Sequence, residues 1–255
     1  MSTLGVVVLS VRGMQHLSGC LESVKWADRV TLLHIGEGEP LQGVMPFSSV
    51  VYRKVAAPEE LGHLSWESGT DWLLHLWGEE RVEEDLGEEL RAVCREAPAP
   101  SPLGYRIPIR SRLLGRWTEG SLLGPSPALR LSRRVEEIPS GWWGPAEDSF
   151  GRYPTLGRGW IEDYSAAELR NGIDQIQSIA EIWAGRLQRR GRLPSPAANI
   201  LLSLRVFAKM LLMNGLFSNG FAGLTLSILA AYAALLTGAK MWEASHANGR
   251  KKDEE

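Results

Sequence analysis

Short runs rich in apolar residues recur through the first hundred residues of the chain. They are Leu4–Val11, Val30–Ile35, Val50–Val55 and Trp72–Trp77. Runs this brief, with few polar positions, are typical of parallel strands that are buried on both faces. Apolar residues at helical spacing follow the first run between Met14 and Lys25, and an acidic helix is predicted from Glu79 to Glu96. The alternation of strand and helix predicts an open α/β sheet with right-handed crossovers.

The pattern changes after a proline-rich linker at Ala97–Pro102. The segments Gly104–Arg110 and Ala128–Ser132 alternate apolar and polar positions, which predicts strands with one face in solvent. In Glu162–Arg190, apolar residues form a stripe along one face of a predicted helix, and charged residues occupy its opposite face. This is the pattern of an amphipathic helix that packs on a core.

The stretch from Met210 to Ala239 contains no charged residue over 30 positions. A helix of about 20 apolar residues can cross a bilayer, but polar residues and glycines interrupt this stretch. We therefore predict two apolar helices with a break at Asn214–Gly223, flanked by basic residues and by Trp242. A spanning segment, a hairpin on a membrane surface and a buried helix pair all remain open. The charged tail Ala247–Glu255 is predicted to be disordered.

The composition narrows the class of protein. Hydrophobic residues make up 44% of the chain and charged residues 23%, which excludes a disordered or coiled-coil chain. Two cysteines, Cys20 and Cys94, exclude a disulfide scaffold and fit a reducing compartment. The first residues lack a signal-peptide pattern, so we expect a protein of the cytosol or of a cytosolic membrane face. Ten tryptophans fit either core filling or a surface where an apolar ring meets water.

Arginine is concentrated between Tyr105 and Arg134, where seven arginines stand against Glu119 alone. The candidates for binding phosphate or an acceptor carboxylate are Arg106, Arg110, Arg112 and Arg116. The planar guanidinium suits such anions, although a solvated face that balances the acidic helix also explains the cluster. The net charge of −2 gives no support to nucleic-acid binding, so no nucleic-acid partner is expected.

Several segments, in this order, resemble a known family. They are CLESVKWADRVTLLH, TDWLLHLWGEERV, GYRIPIRSRLLGRWTEG, DYSAAELRNGIDQIQSIAE and MLLMNGLFSNGFAGLTLSILAAYAALLTGAKMWE. They are similar to small bacterial glycosyltransferase family 2 proteins related to the lipopolysaccharide core β-glucosyltransferases. The similarity runs from about Leu4 to Glu243, which is nearly the whole chain.

The resemblance implies an α/β fold of the GT-A type, which is Rossmann-like and binds a nucleotide-diphospho-sugar. It divides residues 1–160 into a nucleotide half, 1–97, and an acceptor half, 104–160. A helical, membrane-associating appendage with an apolar hairpin would occupy 161–246, before the tail 247–255. Members of the family move a sugar, with inversion, from a nucleotide sugar to a lipid-linked or core-saccharide acceptor. They use Mg²⁺ or Mn²⁺ and work at the cytoplasmic face of the membrane.

The nucleotide-binding motifs of the family are only partly kept. Arg12–Gln15 replaces a carboxylate-bearing "KNEE"-like loop, and Leu33–Glu39 replaces "VDSGSTD". The donor-binding candidates that remain are Gly36, Glu37 and Glu39.

The family's metal motif, "DADE", is also altered. It becomes Trp77–Glu80, in which the first aspartate is an indole that cannot bind a metal ion. Glu79 and Glu80 remain as candidate ligands for Mg²⁺ or Mn²⁺, which often take only one or two protein carboxylates. Alternatively, they begin the acidic helix, where carboxylates suit the positive end of the dipole.

The proton acceptor has two candidates on the acceptor side, Glu147 and Asp148, which can equally be solvated loop carboxylates. Two functions therefore remain open. The first is a divergent, active inverting glycosyltransferase. The second, favoured by three separate losses of functional carboxylates, is an inactive relative that serves as a membrane-docked partner or scaffold in lipopolysaccharide or other cell-surface glycan assembly. Such a protein would pair with an active paralogue or with its own copy.

Overall fold

The computed structural model describes residues 2–11, 14–36, 50–55, 69–96, 102–122, 126–133, 153–189, 195–213 and 216–253. The strands are β1 (Leu4–Val11), β2 (Arg29–Ile35), β3 (Val50–Val55), β4 (Trp72–Trp77), β5 (Glu80–Val82), β6 (Gly104–Ile107), β7 (Ile109–Leu113), β8 (Arg116–Glu119), β9 (Ala128–Arg133) and β10 (Ile161–Asp163). The helices are α1 (Leu17–Ser23), α2 (Glu84–Arg95), α3 (Leu169–Arg189), α4 (Pro196–Ala208) and α5 (Gly220–Asp253). A π-helical turn, Lys209–Met213, and a 3₁₀ turn, Leu216–Asn219, lie between α4 and α5.

The larger sheet has six strands in the order β3-β2-β1-β4-β9-β6. The strands β3, β2, β1 and β4 are parallel, whereas β9 is antiparallel to both of its neighbours. All eight residues of β1 are buried, because this central strand is covered on both faces. The expected α/β class with a parallel-rich sheet is therefore confirmed.

A second sheet of four strands, in the order β5-β10-β7-β8, lies beside the first. Pro108 separates β6 from β7, so the segment predicted as one strand contributes to both sheets. Proline has no N–H for a ladder hydrogen bond, which makes it a natural point of division. The Pro108 carbonyl still accepts a hydrogen bond from the N–H of Ile161 at 2.9 Å.

Two predicted helices begin later in the chain than expected. Helix α2 starts at Glu84, because residues Glu80–Val82 form β5. Helix α3 starts at Leu169, because Ile161–Asp163 forms β10 between β5 and β7. Strand β10 lies in the segment predicted as a helical appendage, whose boundaries stay a prediction.

The C-terminal helices pack on the larger sheet through a continuous core. Residues of β1 such as Val7 and Leu9 share one buried cluster with Leu226 and Ala233 of α5. Helix α5 continues to Asp253 and therefore extends into the tail that was predicted to be disordered. It is long and apolar enough to cross a membrane, although 44% of its most apolar window is buried against the rest of the protein.

Candidate functional site

The indole of Trp77 lies at the C-terminal end of β4, where the family would have its first metal-binding aspartate. It is 3% exposed and belongs to the core cluster of β1 and the C-terminal helices. The backbone N–H of Trp77 donates a hydrogen bond to Oε2 of Glu80 at 2.8 Å. The position is therefore occupied by core packing, with no oxygen ligand on this side chain.

Glu80 forms a buried ion pair. Its Oε1 atom accepts a hydrogen bond from Nη2 of Arg130 at 2.6 Å, and both side chains are at most 5% exposed. Burial raises the pKa of Glu80 to about 7, while the guanidinium of Arg130 acts in the opposite direction. Arg130 therefore supplies the countercharge that a metal ion would otherwise provide.

Glu79 anchors the beginning of α1. Its Oε1 accepts a hydrogen bond from the backbone N–H of Gln15 at 2.5 Å, and its Oε2 accepts one from the N–H of His16 at 3.1 Å. The residue is 1% exposed. Burial raises the pKa of Glu79 to about 7, and the nearby carboxylate of Asp163 raises it further, whereas the two backbone donors lower it. Both carboxylate oxygens are therefore already engaged by the protein.

A third buried carboxylate, Asp163, lies near these two glutamates. Its Oδ2 accepts hydrogen bonds from Ser111 and Ser121, each at 2.8 Å, and its Oδ1 accepts one from the N–H of Ser165 at 2.9 Å. Sequence reasoning assigned no role to Asp163. Its place in DYSAAEL, where the family has a histidine, was the available signal.

These three carboxylates do not form a recognisable metal centre. Among the residues that the structure describes, no group of three histidine, cysteine, aspartate or glutamate side chains is arranged to hold a metal ion. The alternative interpretation, in which Glu79 and Glu80 begin the acidic helix, is wrong. Glu79 lies in the turn after β4 and Glu80 belongs to β5, so neither carboxylate is near the N-terminus of α2.

The other sequence-predicted carboxylates lie beyond what can be located. Glu37, Glu39, Glu147 and Asp148 fall outside the described residues. Gly36 follows β2 directly, with a backbone φ of 127°, a value that glycine adopts more readily than other residues. It ends the strand at the edge where the nucleotide half was expected to bind its donor.

The four candidate arginines have different partners. Arg106 donates to the carbonyl oxygen of Pro127. Arg110 forms ion pairs with Glu83, at 3.2 Å, and with Glu162, at 2.6 Å. These two arginines are therefore held by groups of the protein itself.

Arg112 and Arg116 lie on the exposed β7–β8 hairpin. The guanidinium carbon of Arg112 lies 5.7 Å from the ring centre of Trp117. The side chain of Arg116 is exposed and makes no ion pair with any residue in the described ranges. Of the four, Arg116 is the one best placed to meet an external anion.

An open groove of about 570 Å³ lies between this hairpin and the beginning of α5. We name it the hairpin groove. It is lined by Leu114, Arg116, Trp117, Asn219 and Phe221, among other residues. It combines a cation, aromatic rings and an amide at one surface. It is separate from the buried carboxylates, which sequence reasoning had placed at the reactive centre.

Comparisons with known proteins give little similarity. No family model matches the chain, and no curated protein matches it. The crystal structure of Rv0371c from Mycobacterium tuberculosis H37Rv aligns at 14% identity and a TM-score of 0.35, over 67% of this chain and 97% of that chain. The manganese complex of Rv0371c aligns at 15% identity and a TM-score of 0.30, over 52% of this chain and 72% of that chain. Scores this low do not show a shared fold.

Proposed function

We propose that this chain is a glycosyltransferase family 2-like protein of lipopolysaccharide or other cell-surface glycan assembly that has lost efficient catalysis. It serves as a partner or scaffold, peripherally docked on the cytoplasmic face of the membrane. The observation that carries the proposal is the state of Glu79 and Glu80. Both are buried, and both are held by groups of this protein.

A GT-A enzyme neutralises the leaving diphosphate with a divalent ion held by hard oxygen ligands. The residues present do not fit that ion. Trp77 has no ligand atom, Glu80 is paired with Arg130, and Glu79 accepts hydrogen bonds from two backbone N–H groups. Recruiting either glutamate would leave buried polar groups without partners, which is costly.

The alternative is an active, divergent inverting transferase in which Glu79 holds the metal ion and Glu147 or Asp148 takes the proton. The pKa of Glu79, raised to about 7 by burial, would also suit Glu79 itself to proton transfer at neutral pH. Against this use, the carboxylate is 1% exposed and lies under the beginning of α1. An acceptor hydroxyl would reach it only if α1 moved.

Thermal denaturation with nucleotide sugars tests the proposal. The full chain is heated with millimolar UDP-, ADP- or GDP-sugars and Mn²⁺, beside an active family 2 transferase as a positive control. A ligand that binds the folded state raises the melting temperature, so we expect a shift for the control and none for this chain. A shift for this chain that disappears in Glu79→Ala would overturn the proposal in favour of the active enzyme.

The partner is tested separately. We expect the chain to co-purify from its native membranes with an active transferase or with a second copy of itself. Cross-linking before solubilisation, followed by mass spectrometry, identifies the neighbour. A chain that is recovered without either partner, but that hydrolyses or transfers a nucleotide sugar, contradicts a scaffold role.

A further inference from the structure

The C-terminal helices carry a large apolar surface that is exposed to solvent among the residues that the structure describes. We name the exposed sides of α4, of the π-helical and 3₁₀ turns and of α5 the apolar outer surface. Its most exposed members are Phe217 at 76%, Phe221 at 75%, Leu212 at 69% and Leu204 at 60%. Scattered exposed leucines are common, but a surface this large indicates an interaction site.

The exposed residues of α5 recur at helical spacing. Phe221, Leu224, Ile228, Leu235 and Trp242 are all exposed, whereas the residues between them include the buried Leu226, Leu229 and Ala233. One side of α5 therefore belongs to the protein core, and the opposite side is apolar and exposed among the residues that the structure describes.

Helix α5 cannot leave the core to cross a bilayer without large losses. Lys240 pairs with Glu181 of α3, and the side-chain amide of Gln188 donates to the carbonyl of Met241 at 2.8 Å. On the other side, the amide of Asn199 in α4 donates to the carbonyl of Leu235 at 2.9 Å. These contacts hold α5 against α3 and α4. An apolar environment such as a membrane would therefore contact α5 along the exposed side of the helix.

The charged residues of this region indicate which apolar environment the surface contacts. Between Ser195 and Trp242 the chain has no aspartate or glutamate, whereas it has Arg205, Lys209 and Lys240, of which Lys240 pairs with Glu181. Basic residues beside an apolar helix face, with tryptophan at its end, are typical of helices that lie in the interface of an anionic bilayer. An interface with a second protein would not require this one-sided charge.

The hairpin groove lies at the edge of the same surface. Phe221 lines the groove and is also part of the apolar outer surface. Arg116 contributes an exposed guanidinium to the groove, and guanidinium groups bind phosphate through paired N–H donors. The groove therefore joins a phosphate-binding group to a surface that favours acyl chains.

The tip of the hairpin supports the same assignment. Leu114 has a φ of 51° and is 48% exposed, beside Gly115 with a φ of 76°. A two-residue turn with both φ values positive favours asparagine or glycine, so leucine is strained there. Strain at an exposed apolar residue indicates that its side chain serves an external contact.

We propose that the apolar outer surface lies in the interface of an anionic phospholipid bilayer and that the hairpin groove receives a lipid phosphate head group at Arg116. Leu114, Phe217 and Phe221 enter the acyl boundary around that head group. The inference deepens the membrane-docking part of the proposed function and does not depend on whether the donor site is inactive.

Vesicle co-sedimentation of the full chain tests the proposal. Binding is measured to phosphatidylcholine vesicles and to mixed phosphatidylcholine–phosphatidylglycerol vesicles, with and without inorganic phosphate. We expect clearly tighter binding to the anionic vesicles, weakened by salt. Equal binding to both kinds of vesicle, or no binding, would overturn the proposal. Displacement from the vesicles by millimolar inorganic phosphate, where chloride of the same ionic strength has no such effect, would also overturn it, because it would indicate a site for the free ion.

Variants separate the two parts of the surface. We expect Phe217→Ser with Phe221→Ser to weaken binding to both kinds of vesicle by at least about tenfold. Arg116→Gln should weaken binding to anionic vesicles by about fivefold and binding to phosphatidylcholine vesicles less, because choline already balances the charge of that lipid's phosphate. The matched controls, Leu103→Ser and Arg95→Gln, change exposed residues elsewhere and should bind like the wild type. Circular dichroism of each variant confirms that it is folded, and a folded variant that binds like the wild type contradicts its assigned role.

Two further measurements exclude other occupants. Alkaline carbonate should release the chain from membranes, whereas retention in the pellet would indicate a spanning helix. Analytical ultracentrifugation should show an oligomeric state that the phenylalanine variants leave unchanged. A dimer that these substitutions abolish would show that a second copy covers the surface. Neither outcome depends on nucleotide binding, so failure here is distinguishable from failure of the proposed function.

Discussion

Glu80 and Arg130 form a buried ion pair between the two sheets of the protein. Glu80 belongs to β5 of the smaller sheet and Arg130 to β9 of the larger sheet, and their charged atoms lie 2.6 Å apart. Arg130 also donates to the carbonyl of His75 in β4, at 3.4 Å. In the family this position would lie in the metal motif, whereas here the same carboxylate holds the sheets together.

Removing Arg130 should destabilise the protein strongly. In Arg130→Met the carboxylate of Glu80 remains buried without its partner, which costs about 3–5 kcal/mol. Combining it with Glu80→Gln should recover a large part of the loss, because the uncompensated charge is then gone. Urea denaturation measures both effects, with Arg95→Met as the exposed control. Equal losses in the single and the double variant would contradict the ion-pair role.

Stability should fall as pH rises from about 4.5 to about 7. Burial raises the pKa values of Glu79 and Glu80 to about 7 from the ordinary 4.5, so the folded state retains protons that the unfolded chain releases in this window. Each pKa unit corresponds to about 1.4 kcal/mol, and the effect levels off above about pH 7.

The measurement is the difference between wild type and Glu79→Gln in urea denaturation across this pH range. Taking the difference removes the contributions of His34 and His75, whose pKa values burial lowers and which act in the opposite direction. A difference that does not change between pH 5 and pH 8 would show that Glu79 titrates normally.

An aspartate at position 77, as in the family that the sequence resembles, should not create a metal site. Trp77→Asp removes a buried indole and places a carboxylate in the core, so we expect a loss of at least about 3–5 kcal/mol. Because Glu79 and Glu80 stay engaged, Mn²⁺ should not raise its melting temperature. Trp77→Phe is the control for lost volume. A rise with Mn²⁺ that is confined to Trp77→Asp would contradict this prediction.

Stability and membrane binding should change in opposite directions at Leu114. Leu114→Asn suits the positive φ of the turn, so we expect it to stabilise the fold by about 1 kcal/mol. The same change removes an apolar side chain from the edge of the hairpin groove and should weaken vesicle binding. Thermal denaturation and vesicle co-sedimentation check the two effects. Weaker stability together with unchanged binding would show that Leu114 is retained for the fold.

The close packing of α4 on α5 depends on a glycine. A methyl group added at Gly238 would lie 2.1–2.3 Å from side-chain atoms of Asn199, which donates to the Leu235 carbonyl. We expect Gly238→Ala to cost about 1–3 kcal/mol in thermal denaturation. Gly157→Ala is the matched control, because nothing lies within 4 Å of its added methyl group. Equal stability of the two variants would contradict this packing role.

Much of the larger sheet could be predicted from the sequence. The bounds of β1, β3 and β4 agree with the predicted runs Leu4–Val11, Val50–Val55 and Trp72–Trp77. For β1 and β4 the reason is that strands buried on both faces are continuous apolar segments, whereas β3 is an edge strand with two exposed residues. The smaller sheet was not foreseen. Strands β5 and β10 have three residues each, which is too short for any periodic pattern.

The sequence predicted where the candidate site lies, but not which groups its residues contact. The resemblance drew attention to Trp77, Glu79 and Glu80, and these residues do lie together at the end of β4. Their partners are distant in sequence: Arg130 lies 50 residues from Glu80, and Gln15 lies 64 residues from Glu79. A count of arginines along the chain cannot reveal which one is buried against a carboxylate.

The uninterrupted interior from β1 to α5 has a practical consequence for preparing this protein. Truncation after residue 194 would be the usual way to remove an apolar C-terminal region. Here it would also remove Met210, Leu226, Leu229 and Ala233, all of which are buried in the cluster that contains Leu9 of the central strand. The shortened chain would therefore expose one buried face of the larger sheet. Mild detergent or lipid nanodiscs, with the helices kept in place, are the better route to a homogeneous sample.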